Sequence, residues 1–242
     1  MVTKVKDALY KPDPKYTAIK DKHKGERCFI VCTGPSLTLE DIEKLKDECT
    51  FSMNTIFKCF DKTSWRPTYY GMSDHRFFKI YKDMFYKGEV FKDSTIFYSV
   101  KEIHYKAKNN PKAIPVYCSN TQNAHSLYKD LTYKHIGLSK DIDRYVNNGS
   151  TVTFILMQLA IYMGFKEIYL LGADCTYKGK DHSDITPNSK KQVVHRNDGI
   201  KFIDVYSSIV NDLPEDVKIY NATRGGMLEV FPRVDLDEVL KK

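Results

Sequence analysis

Unbroken apolar runs alternate along this chain with apolar stripes at helical spacing, and polar residues gather where one gives way to the other. Arg27-Cys28-Phe29-Ile30-Val31-Cys32 carries no polar interruption after its first residue. That is the pattern of a strand covered on both faces in a parallel sheet. The run stops at Thr33-Gly34-Pro35-Ser36. Leu39, Ile42 and Leu45 then recur at helical spacing behind Thr38, a fitting N-cap. Thr50 to Asn54 and Thr68 to Asp74 predict the next strands, each ending in polar residues, with a helix over 75–86 after the second. Ser94 to Val100 and Ile114 to Cys118 predict two more strands. Val152 to Met163 is apolar nearly all round, which predicts a buried helix closed by Gly164. Glu167 to Asp174 follows as a central strand. A helix from His195 to about Asn211, a last strand Val217 to Tyr220 and a short helix from Asp235 to Leu240 complete the series.

These units predict an α/β fold: a Rossmann-like, mostly parallel sheet with helices on both faces and a small lid subdomain. The 242 residues suit one large domain, set at 26–242 behind a polar arm, 1–25, that carries Pro12 and Pro14. Two polar stretches interrupt the alternation. Residues 119–148 are expected to form the lid, and 175–194 a mobile loop beside the site.

Composition narrows the partners. The net charge of +7 suits an anionic ligand. The lysines are scattered, without an arginine-rich stripe or a nucleic-acid signature, so nucleic acid is not expected. Lys4, Lys6, Lys11, Lys15, Lys20, Lys22 and Lys24 predict a solvated arm, with contact to phospholipid headgroups as the alternative. None of the six cysteines forms a CxxC pair, which argues against zinc and fits buried free thiols. With neither a signal-like start nor an 18-residue apolar run, the expected location is cytoplasmic, with the inner face of the membrane left open, as is self-association.

In an open parallel sheet, ligands bind beyond the carboxyl ends of the strands. The residues falling there are Thr33, Gly34, Pro35, Ser36, Asn54, Ser73, Asp74, Asp174 to Tyr177 and Asn221 to Gly226. Gly34 admits close backbone approach, and Ser36 with the helix behind it offers donors to an anion. The plain alternative is a tight turn. Gly149-Ser150-Thr151 repeats the arrangement at the head of the buried helix, with simple capping as its alternative. Asn54 has the donor and acceptor to read a base or ribose. Asp174 suits a ribose hydroxyl, a metal or a histidine. His182 and His195 are the candidate general bases.

Several stretches together resemble a known family: Cys32-Thr33-Gly34-Pro35-Ser36-Leu37, Ser52-Met53-Asn54, Gly149-Ser150-Thr151, Gly164 to Asp174 and Asn221-Ala222-Thr223-Arg224-Gly225-Gly226. The family is named after the archaeal 6-hydroxymethylpterin diphosphokinase. It is related to Campylobacter-type sialyltransferases and to flagellin-modifying glycosyltransferases, and the resemblance spans about 26–232. It implies a nucleotide-phosphate turn at Gly34, Pro35 and Ser36, a nucleotide contact at Asn54, and sugar or phosphate contacts at Ser150 and Thr151. It also implies a catalytic histidine at His195. Two departures weaken CMP-sialic acid as donor: Thr33 replaces an asparagine, and Thr176 stands where a tyrosine is found, with Tyr177 one residue later.

The expected function is therefore a glycosyltransferase of surface-polysaccharide synthesis. It would use a nucleotide-sugar donor and a glycan or lipid-linked acceptor, with His195 as base, Tyr177 stabilising the leaving phosphate, and no required cofactor. The alternatives are a Mg²⁺-dependent diphosphokinase using Asp74, Asp174 and Asp181 with ATP and a pterin alcohol, or a non-catalytic nucleotide-binding module.

Overall fold

Strand β1 (Arg27–Val31) alternates its side chains between two apolar layers, with Cys28 and Ile30 in one and Phe29 and Val31 in the other. A strand buried on both faces needs helices on both sides. The computed structural model supplies them, describing residues 13–87, 90–99, 113–118, 137–176, 182–187 and 198–242.

After β1 come α2 (Leu39–Lys44; α1 is introduced below), β2 (Thr50–Met53), a 3₁₀ turn (Asn54–Cys59), β3 (Tyr69–Met72), α3 (His75–Lys87), β4 (Thr95–Ser99) and β5 (Ala113–Val116). Then follow α4 (Val152–Tyr162), β6 (Glu167–Leu171), α5 (Asp198–Ser207), β7 (Lys218–Asn221) and α6 (Leu236–Leu240). The strands form a seven-stranded sheet in the order β5-β4-β3-β2-β1-β6-β7, and every pairing is parallel. The chain winds outward from β1 to β5, then returns to lay β6 on the other side of β1. Strand order therefore reverses between β1 and β6, where such sheets open a crevice at their carboxyl edge.

Helix α4 covers one face. Its residues from Val152 to Ala160 are all buried. The polar Gln158 is tolerated there because all its capacity is used: Oε1 accepts from the Ser139 and Asn147 N–H groups, and Nε2 donates to the Asn147 and Phe154 carbonyls. Those bonds tie 137–148, the end of the expected lid, against α4. The lid's earlier part, 119–136, lies outside the described residues. Helices α2, α3 and α6 cover the opposite face through Ile42, Phe77, Phe85, Leu236 and Val239.

Several boundaries differ from expectation. The ladders stop at Met53, Met72 and Leu171, so the polar tips assigned to β2, β3 and β6 are loop residues. The expected arm is packed from residue 13 onward, as a short helix α1 (Pro14–Ile19). Tyr16 is fully buried, its hydroxyl donates to the Pro115 carbonyl, and Lys15 Nζ donates to the Ala113 carbonyl on edge strand β5. Lysine-rich composition hid two apolar anchors, Tyr16 and Ile19. The helix expected from His195 is described from Asp198. Among the described residues, no helix is long and apolar enough to cross a membrane.

Candidate functional site: the crevice between β1 and β6

Past the strand ends, Gly34 N–H still bonds the Gly172 carbonyl (3.0 Å), keeping the two exits side by side. Leu37 N–H bonds back to the Gly34 carbonyl (3.1 Å), closing a turn with Pro35 at its second position. That turn delivers Ser36 to Asp174. Ser36 Oγ donates to Asp174 Oδ2 (2.9 Å), and Ser36 N–H to Oδ1 and Oδ2 (3.2 and 3.4 Å). A Cβ on Gly34 would collide with the Asp174 carboxylate and the Gly172 carbonyl, so only glycine fits. Asp174 is 4% exposed, and burial raises its carboxyl above the usual range against the opposing pull of the Ser36 donors.

Two residues singled out separately in the sequence are thus one unit. The donors of Ser36 face the chain's own carboxylate. The helix behind them is also engaged: Asp41 Oδ2 accepts from the Thr38 N–H (3.0 Å) and Thr38 Oγ1 (2.7 Å) in a capping box.

The loop after β7 closes over Asp174. Its carbonyl accepts from Met227 N–H (2.7 Å), and Ala173 N–H donates to Thr223 Oγ1 (2.9 Å). A Cβ on Gly226 would lie 2.6 Å from the Asp174 carbonyl. Fully buried Asn221 holds the loop's base, donating to the Leu228 carbonyl (2.6 Å) and accepting from Thr223 N–H (3.0 Å). Arg233 Nη1 secures the rim through the Thr223 and Gly225 carbonyls.

The other wall is different. Asn54, Ser150 and Cys175 have φ of 49°, 59° and 53°, the left-handed region, which asparagine tolerates and which costs serine and cysteine of order 1 kcal/mol or more. All three stand at this carboxyl edge. Register puts Val31 opposite Ser52 and Leu171, so Asn54 lies level with Thr33, two steps on. The Asn54 amide makes no hydrogen bond among the described residues, although its carbonyl accepts the Tyr70 hydroxyl (2.8 Å). Gly149, with φ 55°, and Ser150 lead into α4, whose N-cap Thr151 makes no side-chain capping bond. Ser73 and Asp74 are half-buried beyond β3, and Ser73 joins Ser99 and Cys118 around a narrow cleft.

His182 sits at the turn because Ser183 N–H donates to the Thr33 carbonyl (3.1 Å) and Ser183 Oγ to the Leu37 carbonyl (2.5 Å). Thr55 Oγ1 donates to the Thr186 carbonyl (3.0 Å), so 182–187 is docked where the whole of 175–194 had been expected to be mobile. Thr176 is half-buried. His195, Tyr177 and Asp181 lie outside the described residues. Under the crevice, burial pushes the Cys32 and Cys175 thiols up to about 12, so both are neutral and neither is an activated nucleophile. Sequence reasoning placed Arg224 at the carboxyl edge, within Asn221 to Gly226, without a role of its own, and missed Arg233 as a rim residue. The signal was present in an arginine set between Thr223 and a glycine pair at a strand's carboxyl end.

The fold has solved counterparts. The Maf glycosyltransferase of Magnetospirillum magneticum AMB-1 superposes at TM-score 0.58 and 15% identity, over 90% of this chain and 35% of that one. This chain therefore spans about a third of that protein's length. The sialyltransferase CstII of Campylobacter jejuni, solved in complex with the substrate analogue cytidine-5'-monophosphate, superposes at TM-score 0.50 and 15% identity, over 87% of this chain and 85% of that one. No curated protein matches the sequence. At such identity the likeness is one of fold. The sequence itself matches a family model over residues 4–180, and the chain belongs to that family, the MptE-like proteins described as 6-hydroxymethylpterin diphosphokinase MptE-like.

Proposed function

We propose that this chain is a glycosyltransferase that binds a nucleotide-sugar in the β1–β6 crevice. The observation that carries the reading is Asn54, held in a left-handed conformation at the crevice edge with its amide unused among the described residues. Such conformations cluster where a ligand must be met. Ser150 and Cys175 share it on the same edge. The fold likeness to two glycosyltransferases, one solved with a cytidine nucleotide, supports the donor class.

In this reading Asn54 contacts the nucleotide, and its phosphate lies at Ser150, Thr151 and the start of α4, where the helix dipole favours negative charge. A histidine takes the proton of the acceptor hydroxyl. The hydroxyl oxygen bonds to the anomeric carbon while the carbon–oxygen bond to the donor phosphate breaks, and the phosphate leaves with that electron pair. Tyr177 and the α4 hydroxyls stabilise it. His195 is the base the family resemblance implies, and His182 is the second candidate, beside Thr33. The acceptor would be a glycan or lipid-linked sugar of surface-polysaccharide synthesis, met inside the cell or at the inner membrane face. Thr33 and Thr176 keep donors other than CMP-sialic acid in view.

The family match favours a second reading, ATP-dependent diphosphate transfer to a pterin alcohol with Mg²⁺ between the phosphates. Of the carboxylates expected to hold the ion, Asp174 is committed to Ser36, and Asp181 lies outside the described residues. No three-ligand cluster of His, Cys, Asp or Glu occurs among the described residues.

A thermal-shift screen of CMP-, UDP- and GDP-sugars and ATP, with and without Mg²⁺, separates the readings, because a ligand bound to the native state raises the melting temperature by mass action. The expected result is a shift with one sugar donor that Asn54→Ala abolishes, followed by sugar transfer that His195→Ala or His182→Ala stops. Conversion of ATP to AMP that depends on Mg²⁺, with no donor bound, overturns the first reading for the second.

A further inference from the structure

A guanidinium is a planar fork of five donors and meets a carboxylate best two-on-two. Arg27 does so with Glu48, through Nε (3.1 Å) and Nη2 (2.6 Å). Arg233 does so with Glu229 through the same two nitrogens, while Nη1 holds backbone carbonyls. Arg224 does not. Its Nη2 alone is engaged, by Thr38 Oγ1 (3.2 Å) and Asp41 Oδ2 (2.5 Å). Its Nε and Nη1 make no hydrogen bond among the described residues. Asp41 is the buried partner at 2% side-chain exposure, while Arg224 is 55% exposed. The other oxygen of that carboxylate, Oδ1, is buried with no hydrogen-bond partner among the described residues. A pair serving stability alone would gain by turning two-on-two and satisfying Oδ1. The end-on pair instead fixes one corner of the fork and leaves an edge of two donors uncommitted.

The place of that edge matters. Thr38 is two residues past Ser36, so their Cα atoms are at most about 7 Å apart. Gly225 and Gly226 carry the loop from Arg224 onto Asp174, and Arg233 fixes its carbonyls. Arg224 is therefore a tethered cation on the crevice rim, beside a turn whose own donors are spent on Asp174.

We propose that Arg224 is the oxyanion receptor of this crevice and takes a phosphoryl group of the bound nucleotide on its Nε–Nη1 edge. This rests on the nucleotide-binding part of the proposed function and not on sugar transfer. Asp41 positions the fork, and the phosphate completes it. The test is calorimetric titration of the full chain with inorganic pyrophosphate, with CDP, UDP, GDP and ADP, and with the matching monophosphates. Arg224→Gln should weaken pyrophosphate and the preferred nucleotide by about tenfold or more, as loss of charge-assisted bonds predicts. Arg224→Lys, which keeps the charge without the fork, should restore only part. A loss confined to diphosphates assigns the receptor to the second phosphate, and an equal loss for monophosphates assigns it to the first. Unliganded melting temperatures are read alongside. A lower melting temperature with unchanged affinities would make Arg224 a structural ion pair and overturn the proposal. So would failure of the wild-type chain to bind pyrophosphate or any nucleotide, which removes the nucleotide reading with it. Tight, Arg224-dependent nucleotide binding with no sugar transfer would leave the receptor standing and remove the transferase alone.

Discussion

The crevice is flanked by two helix starts that look alike in sequence and differ in state. One is Gly34-Pro35-Ser36 leading to Thr38 and α2, and the other is Gly149-Ser150-Thr151 leading to α4. Both put glycine and hydroxyls ahead of a helix. At α2, Asp174 accepts both Ser36 donors and Asp41 completes the cap. At α4, Thr151 makes no side-chain capping bond and Ser150 is strained and exposed. Small hydroxyl residues before a helix therefore predict a place for negative charge without saying whether the chain supplies it. Where the chain's own carboxylates arrive, the turn becomes structure. Where none arrives, the exposed Ser150 hydroxyl stays open, while the Thr151 N–H bonds the Asn148 carbonyl (3.3 Å) and its hydroxyl bonds buried Tyr206.

The sharpest way to break the contrast is at the closed start. Gly34→Ala should lower stability by about 2–3 kcal/mol, because backbone on one side and a hydrogen-bonded carboxylate on the other leave the new methyl no room. Urea unfolding would measure it, and a loss below about 0.5 kcal/mol would mean that the β1–β6 exits are not locked together.

Asp174→Asn tests the carboxylate itself. A carboxamide keeps the shape but offers one acceptor to two Ser36 donors, at a cost of about 1–3 kcal/mol. The pH dependence has a definite sign. Burial raises the folded-state value of this acid, so its contribution is fully present below the unfolded value of about 3.9 and is lost as pH rises through the raised value. The stability gap between wild type and Asp174→Asn should therefore narrow as pH rises out of the acid range. Paired urea titrations from acid to neutral pH would read it, and a widening gap would mean that the Ser36 donors outweigh burial.

The two N-caps give a smaller, paired test. Thr38→Ala should cost about 1 kcal/mol, since it removes a capping box. Thr151→Ala removes no capping bond, only a hydroxyl bond to buried Tyr206, which keeps Thr153 as a partner, so it should cost less than Thr38→Ala while weakening whatever anion binds at α4. Equal costs would erase the distinction between the closed and open starts.

Much of this was legible beforehand. The apolar runs of β1 and β6 and the all-round apolar helix α4 announced the sheet and its cover, because burial on every side leaves no polar positions. The convergence of polar tips on the carboxyl edge followed from parallel topology. What sequence could not supply was pairing across distance. Ser36 and Asp174 are 138 positions apart, and only the adjacency of β1 and β6 turns two candidate ligands into one closed unit. Arg224 reaches Asp41 across 183 positions. Likewise, lysines around Tyr16 and Ile19 concealed a segment whose two buried side chains pack into the core.

The open start yields a small effect and the most telling one. Ser150 holds φ 59°, and glycine there would adopt the same backbone without the Cβ penalty. If the conformation is simply tolerated, Ser150→Gly should stabilise the protein by about 0.5–1 kcal/mol with no other consequence. The proposed function requires more. The strained, exposed residue presents its hydroxyl to the donor phosphate, so the same substitution should also weaken nucleotide binding, by several-fold for one lost hydrogen bond. Stability and affinity would then move in opposite directions in a single variant. Denaturation midpoints and calorimetric titration of Ser150→Gly would measure both. A gain in stability with unchanged affinity would make the α4 start an ordinary strained turn and leave Arg224 and Asn54 as the ligand-facing groups of the crevice.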